Sequence, residues 1–235
     1  TYNLIILHSR EILQNEVNTS PVTFIIFGRY PQPGRVKTRL AASIGNEAAA
    51  DFYRLCAEHT FRQLSPFQNS SVHFYCSDPD DLPKVNEWIA PYLFLISAQT
   101  GASLGERMMN AFDSSFRQGS KKVIIIGTDA PDISSEILQS SIDALDTFDI
   151  VIGPALDGGY YLLGMKQLHG DLFKDIPWST EDVFQKTIEK AHSHNLSVQL
   201  LPPLSDIDTI EDLTAWRNCP KSINVSELFY FVKKL

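Results

Sequence analysis

A run of glycines, prolines and cations in residues 28–40 has residue types that suit phosphate chemistry. It reads Gly-Arg-Tyr-Pro-Gln-Pro-Gly-Arg-Val-Lys-Thr-Arg-Leu and follows a short apolar stretch. Backbone amides in such a turn, helped by Lys37 and Arg39, can bind a di- or triphosphate. The spacing matches neither a P-loop nor Gly-x-Gly-x-x-Gly. The alternative is a solvated basic turn before a helix. A local cluster of positive charges is unusual in a chain of net charge −8, however, and this favours phosphate binding.

Carboxylates stand at two further places that would suit a metal–phosphate group. Asp129 follows the apolar run 123–127, and a carboxylate at the end of a buried strand is costly unless it meets a cation or hydrogen-bond donors. Because Mg²⁺ takes one or two carboxylates together with phosphate oxygens, Asp129 is a candidate metal ligand. Asp132 fits a ligand and a helix cap equally well. Asp206 and Asp208 alternate, so an extended backbone projects both to one side, where they could share a metal. The equally weighted alternative is that Asp208 or Thr209 caps a helix.

Residues 153–164 carry a third candidate site. Asp157, Gly158 and Gly159 permit a tight turn and a close approach of a ligand to the backbone, although Asp-Gly is also typical of a plain hairpin. The position of this turn after an apolar run indicates an acceptor-substrate site. Trp178 either lines that pocket or packs in the core.

The composition excludes several classes of protein. With 20 Lys and Arg against 28 Asp and Glu, the chain is not expected to coat nucleic acid, and its apolar runs are too short to span a bilayer. Three separated cysteines give neither a zinc knuckle nor a disulfide framework, which indicates reduced thiols and a cytoplasmic location. Residues 1–20 lack the basic start and long apolar centre of a signal peptide.

The elements that must position these residues alternate between short apolar strands and longer amphipathic helices. This alternation predicts a doubly wound α/β domain over residues 22–235, with a mostly parallel sheet covered by helices on both faces. Residues 1–21 are an amino-terminal extension of unknown shape. The predicted strands are 22–27, 71–76, 92–97, 122–127, 149–153, 160–164 and one near 197–201. The predicted helices are 46–64, 104–116, 136–145 and 181–191, the second of which begins with a capping box from Ser103 to Glu106. In such a sheet, ligands bind beyond the carboxyl ends of the strands.

Five ordered motifs between residues 22 and 216 resemble one family. These are the segments 27–40, 101–108, 127–131, 157–164 and 206–209. In this order they resemble the DUF2064 family, also described as radical-SAM/selenodomain-associated or glycosyltransferase-like transferases.

The resemblance implies a single-domain, Rossmann-like GT-A fold, the fold of nucleotide-diphospho-sugar transferases, and a Mg²⁺ or Mn²⁺ cofactor. The metal would lie on Asp129 and Asp208, less firmly on Asp206, and catalysis would involve Asp129, Lys37 and Asp157. The implied nucleotide-binding residues are Gly28, Gly34, Lys37, Arg39, Gly101, Glu106 and Thr128. The implied acceptor-side residues are Asp157, Gly158, Gly159 and Tyr160, to which the residue types add Trp178.

Three activities stay open at this point. The favoured one is glycosyl transfer from a nucleotide-sugar to a small-molecule acceptor. The second is nucleotidyl transfer from a nucleoside triphosphate to a phosphorylated acceptor, which the single aspartate at 129, in place of Asp-x-Asp, keeps open. The third is a non-catalytic nucleotide-binding module. Neither nucleic acid nor membrane insertion is expected, and the sequence leaves open whether the chain forms a homodimer.

Overall fold

Seven strands and eight helices make up the part of the chain that the structure, a computed structural model, describes: residues 20–219 and 226–235. The predicted extension 1–21 lies almost wholly outside the described residues. The strands are β1 Val22–Gly28, β2 Ser70–Cys76, β3 Leu95–Ala98, β4 Lys122–Ile126, β5 Ile150–Pro154, β6 Tyr160–Met165 and β7 Val198–Leu200. The helices are α1 Thr38–Ile44, α2 Asn46–Leu64, α3 Leu82–Trp88, α4 Leu104–Arg117, α5 Ser135–Thr147, α6 Val183–Ser193, α7 Ile210–Arg217 and α8 Ser226–Val232.

The strands form one sheet in the order β3-β2-β1-β4-β6-β5-β7. β4 is the central strand, and β1 beside it pairs in parallel with both β2 and β4, while β6 runs antiparallel to β4 and β5. The loop of residues 155–159 between β5 and β6 is too short for a crossover, so β6 must turn back beside β5. The expected α/β architecture with a mostly parallel sheet is therefore confirmed, with β6 as its reversed strand.

Both faces of the sheet are buried, as the apolar strands require. Within β1, Phe24 and Ile26 belong to one core cluster, and Ile25 belongs to the cluster on the other face. All three side chains have no exposed surface. Helices cover each face because burying these side chains removes the largest apolar area in the chain from water.

Some helix and strand boundaries differ from the sequence prediction. The strand predicted at 92–97 begins only at Leu95, because Pro91 lies in a 3₁₀ turn, Ala90–Tyr92. α4 begins as predicted, with the Ser103 hydroxyl accepting from Glu106 N–H at 3.1 Å. The carboxylate of Glu106 accepts from Ala102 N–H at 2.8 Å and not from the N–H of Ser103, so the capping box is incomplete. Among the described helices, none is long and apolar enough to cross a bilayer.

Candidate active site

Three charged side chains from distant parts of the sequence meet beyond the carboxyl ends of β1 and β4. The Lys37 ammonium lies 2.6 Å from Asp129 Oδ1 and 2.9 Å from Asp208 Oδ1. Asp129 follows β4, Lys37 immediately precedes α1, and Asp208 lies just before α7. The fold thus brings together the three residues that the sequence singled out for phosphate and metal binding.

The turn before α1 directs Lys37 inward. Gly34 has φ of +78°, and Lys37 itself is left-handed, with φ 47° and ψ 46°. A side chain in that conformation costs about 1–2 kcal/mol. The Lys37 side chain is only 2% exposed. The Arg39 side chain is 78% exposed, and its Nη1 lies 4.0 Å from Asp208 Oδ2. Burial lowers the pKa of Lys37, but Asp129 and Asp208 raise it more, so it stays above the usual lysine value and the ammonium remains charged.

Asp208 and Asp129 are held by backbone contacts between their segments. Ile207 N–H donates to the carbonyl oxygen of Asp129 at 3.3 Å. At the start of α7, Thr209 and Asp212 form a capping box, and Asp212 also accepts from the Asp208 N–H at 3.1 Å. Helix capping is therefore done by Thr209, and the carboxylate of Asp208 faces Lys37.

The Tyr53 hydroxyl joins the loops that follow β1 and β4. It accepts from Arg29 N–H at 2.8 Å and from the Thr128 hydroxyl at 3.0 Å. Burial is the main cause that raises the pKa of Tyr53, to about 12. Thr128, predicted to bind nucleotide, is itself only 1% exposed, although it is among the residues that line the neighbouring cleft.

A cleft of about 490 Å³ runs from this charged group across the carboxyl ends of β1, β2 and β3. We call it the donor cleft. Its walls include Lys37, Asp129 and Asp208 at one end. The strand ends beyond add Gly28, Arg29, Ser77 and Gln99, and α4 adds Arg107. Gly28 must lack a side chain, because a Cβ would lie 2.6 Å from the ring of Phe74.

A second cleft, of about 550 Å³, opens on the other side of the same carboxylates, and we call it the acceptor cleft. Its walls include Asp157, Gly159, Tyr160, Tyr161, Trp178 and Asp206. Asp129 and Asp208 line both clefts. A group bound by this pair of carboxylates can therefore be reached from either side.

Asp206 faces the acceptor cleft and does not contact Lys37. Its Oδ1 is buried and has no hydrogen-bond partner in the described part of the chain. Burial, with the nearby charges of Asp129 and Asp157, raises the pKa of Asp206 to about 7. The two aspartates of the 206–209 motif therefore sit in different surroundings.

The predicted acceptor turn forms the β5–β6 loop. Asp157 Oδ1 accepts from Gly159 N–H at 2.9 Å. Gly158 has φ of +92°, and a Cβ there would lie 2.1 Å from the carbonyl oxygen of Glu181. Gly158 thus lets this loop pack against the segment before α6, which carries Trp178.

Two residues predicted to border the nucleotide contact their own segment of the chain. The Glu106 carboxylate accepts from Ala102 N–H just before α4 and lines a separate cavity, and the Gly101 carbonyl oxygen accepts from Arg107 Nε at 3.1 Å. From this segment, Leu104 and Arg107 line the donor cleft. Gly101 has φ of +138° and a Cβ would approach Arg107 N to 2.8 Å, so it is needed for the bend before α4.

The sequence analysis missed Tyr53, Gln99 and Arg107. Tyr53 and Arg107 lie on amphipathic helices, whose pattern predicts only core and solvent faces, and Gln99 follows a short strand. Asp132, for which a ligand and a cap were both open, does not cap α5, whose N-cap is Ser134. Its Oδ1 accepts from the Trp216 indole N–H at 2.9 Å.

The donor set around Lys37 fits a divalent metal that is shared with a ligand. Two carboxylate oxygens converge on one point, and Mg²⁺ commonly takes two carboxylates and completes its shell with phosphate oxygens and water. No group of three or more His, Cys, Asp or Glu side chains suited to a metal occurs in the described residues. The protein offers Asp129 and Asp208, and the rest of the shell would come from the ligand.

Comparisons with known proteins agree with this geometry. The model of the DUF2064 family, "Uncharacterized protein conserved in bacteria", matches residues 60–180. A crystal structure from Desulfovibrio desulfuricans G20, provisionally assigned as a nucleotide-diphospho-sugar transferase, is 33% identical in sequence. The match covers 92% of this chain and 98% of that one, with a TM-score of 0.81. A search of curated proteins finds no match to this chain.

More distant structures share the fold. The 4-diphosphocytidyl-2C-methyl-D-erythritol synthase of Anaerococcus prevotii DSM 20548 is 12% identical, with a TM-score of 0.56 over 92% of this chain and 99% of that one. CMP:2-keto-3-deoxy-manno-octonic acid synthetase, solved with CTP, is 10% identical, with a TM-score of 0.54 over 88% of this chain and 100% of the other. At these identities the likeness shows a common architecture alone.

Proposed function

The chain belongs to the DUF2064 family, and on that premise we propose that it is a transferase that takes a nucleotide-activated donor. The reaction we propose is glycosyl transfer from a nucleotide-sugar to a small-molecule acceptor. The observation that carries this proposal is the pair of clefts that meet at Asp129 and Asp208. A donor bound in one cleft would present its reacting carbon to an acceptor bound in the other. The provisional assignment of the similar Desulfovibrio protein supports the same class of donor.

The charged residues that line the two clefts would have separate roles in this glycosyl transfer. In the reaction the bond from the sugar carbon to the diphosphate oxygen breaks and a bond to the acceptor oxygen forms. Lys37 and Arg39 would offset the charge that develops on the departing diphosphate. Mg²⁺ or Mn²⁺ on Asp129 and Asp208 would supply further neutralisation of that charge. Asp157, on the acceptor side, would take the proton of the acceptor hydroxyl.

The aromatic wall of the acceptor cleft supports a sugar or another hydroxylated ring as the occupant. Tyr160 and Trp178 line this cleft beside Asp157 and Asp206. Aromatic side chains offer a large apolar face, and the carboxylates offer hydrogen-bond acceptors for hydroxyl groups. This combination suits a ring with both apolar and hydroxylated faces.

Nucleotidyl transfer is the second candidate. The end of β4 has one carboxylate free for a metal, because Asp132 is engaged by Trp216. In this reaction an acceptor phosphate oxygen would attack the α-phosphorus of a nucleoside triphosphate, and pyrophosphate would leave. A non-catalytic binding module is disfavoured, since such a module has no need for the Asp129–Asp208 pair.

Ligand-induced thermal shifts test these proposals directly. The protein would be melted with GTP, CTP, UTP, ATP, UDP-glucose and GDP-mannose, each with and without Mg²⁺ or Mn²⁺. Binding to the native state raises the melting temperature. A metal-dependent shift with a nucleotide-sugar alone supports glycosyl transfer, and selective stabilisation by one triphosphate supports nucleotidyl transfer. If no nucleotide stabilises the protein, both proposals fail.

Replacing Asp129 by Asn should abolish the metal-dependent part of the shift, and any turnover, while the fold is kept. Asp132→Asn is the matched control. It lies three residues away, can still accept from Trp216, and should leave both readouts near those of the wild type. Equal behaviour of the two variants would remove Asp129 as a metal ligand.

A further inference from the structure

Trp178 stands between the acceptor cleft and a second cavity, which we call the side cavity. The side cavity has a volume of about 510 Å³, and its walls include Glu106 and Met109 of α4 and Phe173 and Ile176 of the segment after β6. Among the residues that the structure describes, Trp178 alone lines both spaces. This residue is therefore the wall that the acceptor cleft and the side cavity share.

The first two turns of α4 place the indole ring on the boundary between the two spaces. Leu104 and Met108 line the acceptor cleft. Glu106 and Met109 line the side cavity. Because successive helical residues are about 100° apart, Gly105 projects between Met108 and Met109. A Cβ at Gly105 would lie 2.5 Å from the indole Nε1 and 2.6 Å from Cε2 and Cζ2, so the indole rests directly on the helix backbone there.

Short-range contacts hold the segment on both sides of the indole. The Trp178 N–H donates to the carbonyl oxygen of Ile176 at 2.9 Å. Thr180 Oγ1 donates to the carbonyl oxygen of Pro177 at 2.7 Å. Ser179, between them, has a left-handed backbone with φ of +67°. The segment is thus tied to itself, and Gly105 supplies the surface against which the indole lies.

We propose that Trp178 is a specificity-determining residue that limits the length of the acceptor, and that Gly105 is the positioning residue that holds its indole. An acceptor ring bound beside Asp157 and Tyr160 would meet the indole, and a second ring linked on the α4 side would collide with it. The space for such a ring lies behind the indole, in the side cavity. The proposal rests on the proposed function, since it takes this cleft to hold the acceptor. It adds that the acceptor ends in a single ring at this wall.

Paired sugars test the proposal by ligand-observed NMR titration of the full chain with Mg²⁺. The pairs are glucose with maltose, galactose with lactose, and N-acetylglucosamine with its β-1,4-linked dimer. Trp178→Gly should raise the affinity for the disaccharide, relative to its monosaccharide, by at least about tenfold in one pair or more, because the second ring then buries its apolar face in the side cavity. Unchanged ratios in every pair that binds would overturn the proposal and leave the proposed function intact. If no sugar binds to either protein, the proposal and the sugar acceptor fail together, whereas the nucleotide-dependent thermal shifts decide the donor separately.

Two further variants separate the wall from the cavity behind it and from the helix beneath it. Met109→Ala is the matched control, because it enlarges the side cavity and leaves the indole in place, and it should keep each ratio within about twofold of the wild type. Gly105→Ala should weaken monosaccharide binding in the wild type, because the indole must move. In Trp178→Gly the same change should alter that binding by less than about twofold, since no indole remains to be displaced. Equal effects of Gly105→Ala in the two backgrounds, or none in the wild type, would overturn the positioning role. If Trp178→Gly does not fold, Trp178→Leu, which also lacks the indole, replaces it.

Discussion

Lys37 combines two uncommon features, a left-handed backbone at a residue other than glycine and an ammonium group buried between two carboxylates. Tyr53, on α2, ties the start of the turn 28–37 to the loop after β4, because its hydroxyl accepts from Arg29 N–H and from the Thr128 hydroxyl. Strain of this kind is commonly held at functional sites. In this position the lysine is the counter-ion of both carboxylates, and under the proposed function a divalent metal would compete with it for them.

Replacing Lys37 by Met should therefore raise the affinity for Mn²⁺ without nucleotide. We expect a gain of about tenfold or more, since two carboxylates lose their positive partner. Electron paramagnetic resonance of free Mn²⁺ measures this directly. Arg39→Met is the control, because Arg39 is exposed and 4.0 Å from Asp208, and it should change the Mn²⁺ affinity by less than about threefold. Equal Mn²⁺ affinities of Lys37→Met and the wild type would show that the ammonium does not compete with the metal.

Sequence reasoning found the site residues whose chemistry is visible in the chain and missed those defined by tertiary contacts. Lys37, Asp129 and Asp208 were marked by charge at strand ends and lie together, although their roles remain predictions. The burial of Lys37 could not be predicted, because it depends on a left-handed turn and on a segment 171 residues away. Glu106 was assigned to the nucleotide, and its carboxylate accepts from Ala102 N–H in the bend before its own helix, a contact that the sequence does not reveal.

At the scale of elements, the long amphipathic segments were predicted well and the short ones were not. α2 matches its predicted bounds, and all seven predicted strands have counterparts. The helices α1, α3 and α7 have seven or eight residues each, which is too short for a clear 3.6-residue period. The reversal of β6 follows from its short loop, but the insertion of β6 between β4 and β5 depends on the packing of the whole sheet.

The β5–β6 loop offers a test of how one element is held in place. Gly158→Ala should destabilise the protein more than Gly45→Ala, although both glycines have positive φ. At Gly45 nothing lies within 4 Å of the added Cβ, so the cost is backbone strain alone, about 1–3 kcal/mol. At Gly158 the added Cβ also meets the Glu181 backbone, which must move.

Urea unfolding of both variants measures this difference, and Gly158→Ala should in addition weaken acceptor binding. Equal losses of stability would mean that the loop relaxes freely. In that case the contact with Glu181 would not position the acceptor turn.

At the scale of the whole molecule, the sheet separates two clefts that share one edge. The donor cleft lies over β1, β2 and β3, and the acceptor cleft lies over β6 and the loops beside it. Because β6 runs against β4, its amino end carries Tyr160 to the edge where the parallel strands place their carboxyl ends. The reversed strand therefore places both clefts at a single sheet edge, which under the proposed function would serve both substrates.

Global stability should depend on pH through His73, which is remote from the carboxylate pair. Its Nε2 lies 2.9 Å from the Ser97 hydroxyl, and burial lowers its pKa to about 4. Between about pH 4 and 6.5 the unfolded chain binds a proton here that the folded protein does not, so stability rises with pH across that window. Below pH 4 both states are protonated, and above 6.5 neither is.

The measurement is urea unfolding of the wild type and of His73→Gln, which keeps a hydrogen-bonding group but does not titrate. The free energy of unfolding of the wild type, minus that of His73→Gln, should be larger at pH 7 than at pH 4. The expected increase is up to about 2–3 kcal/mol. A pH-independent difference would show that His73 titrates normally in the folded state.

The hairpin of β5 and β6 also bears on how the chain folds. Its strands are joined by residues 155–159, whereas each other pairing in the described sheet joins strands separated by at least one helix. Closing a short loop costs less chain entropy than closing a long one. The hairpin can therefore form early, as a template to which β4 and β7 add on its two sides. The acceptor turn would then be shaped by local contacts before the distant segments carrying Lys37 and Asp208 are joined.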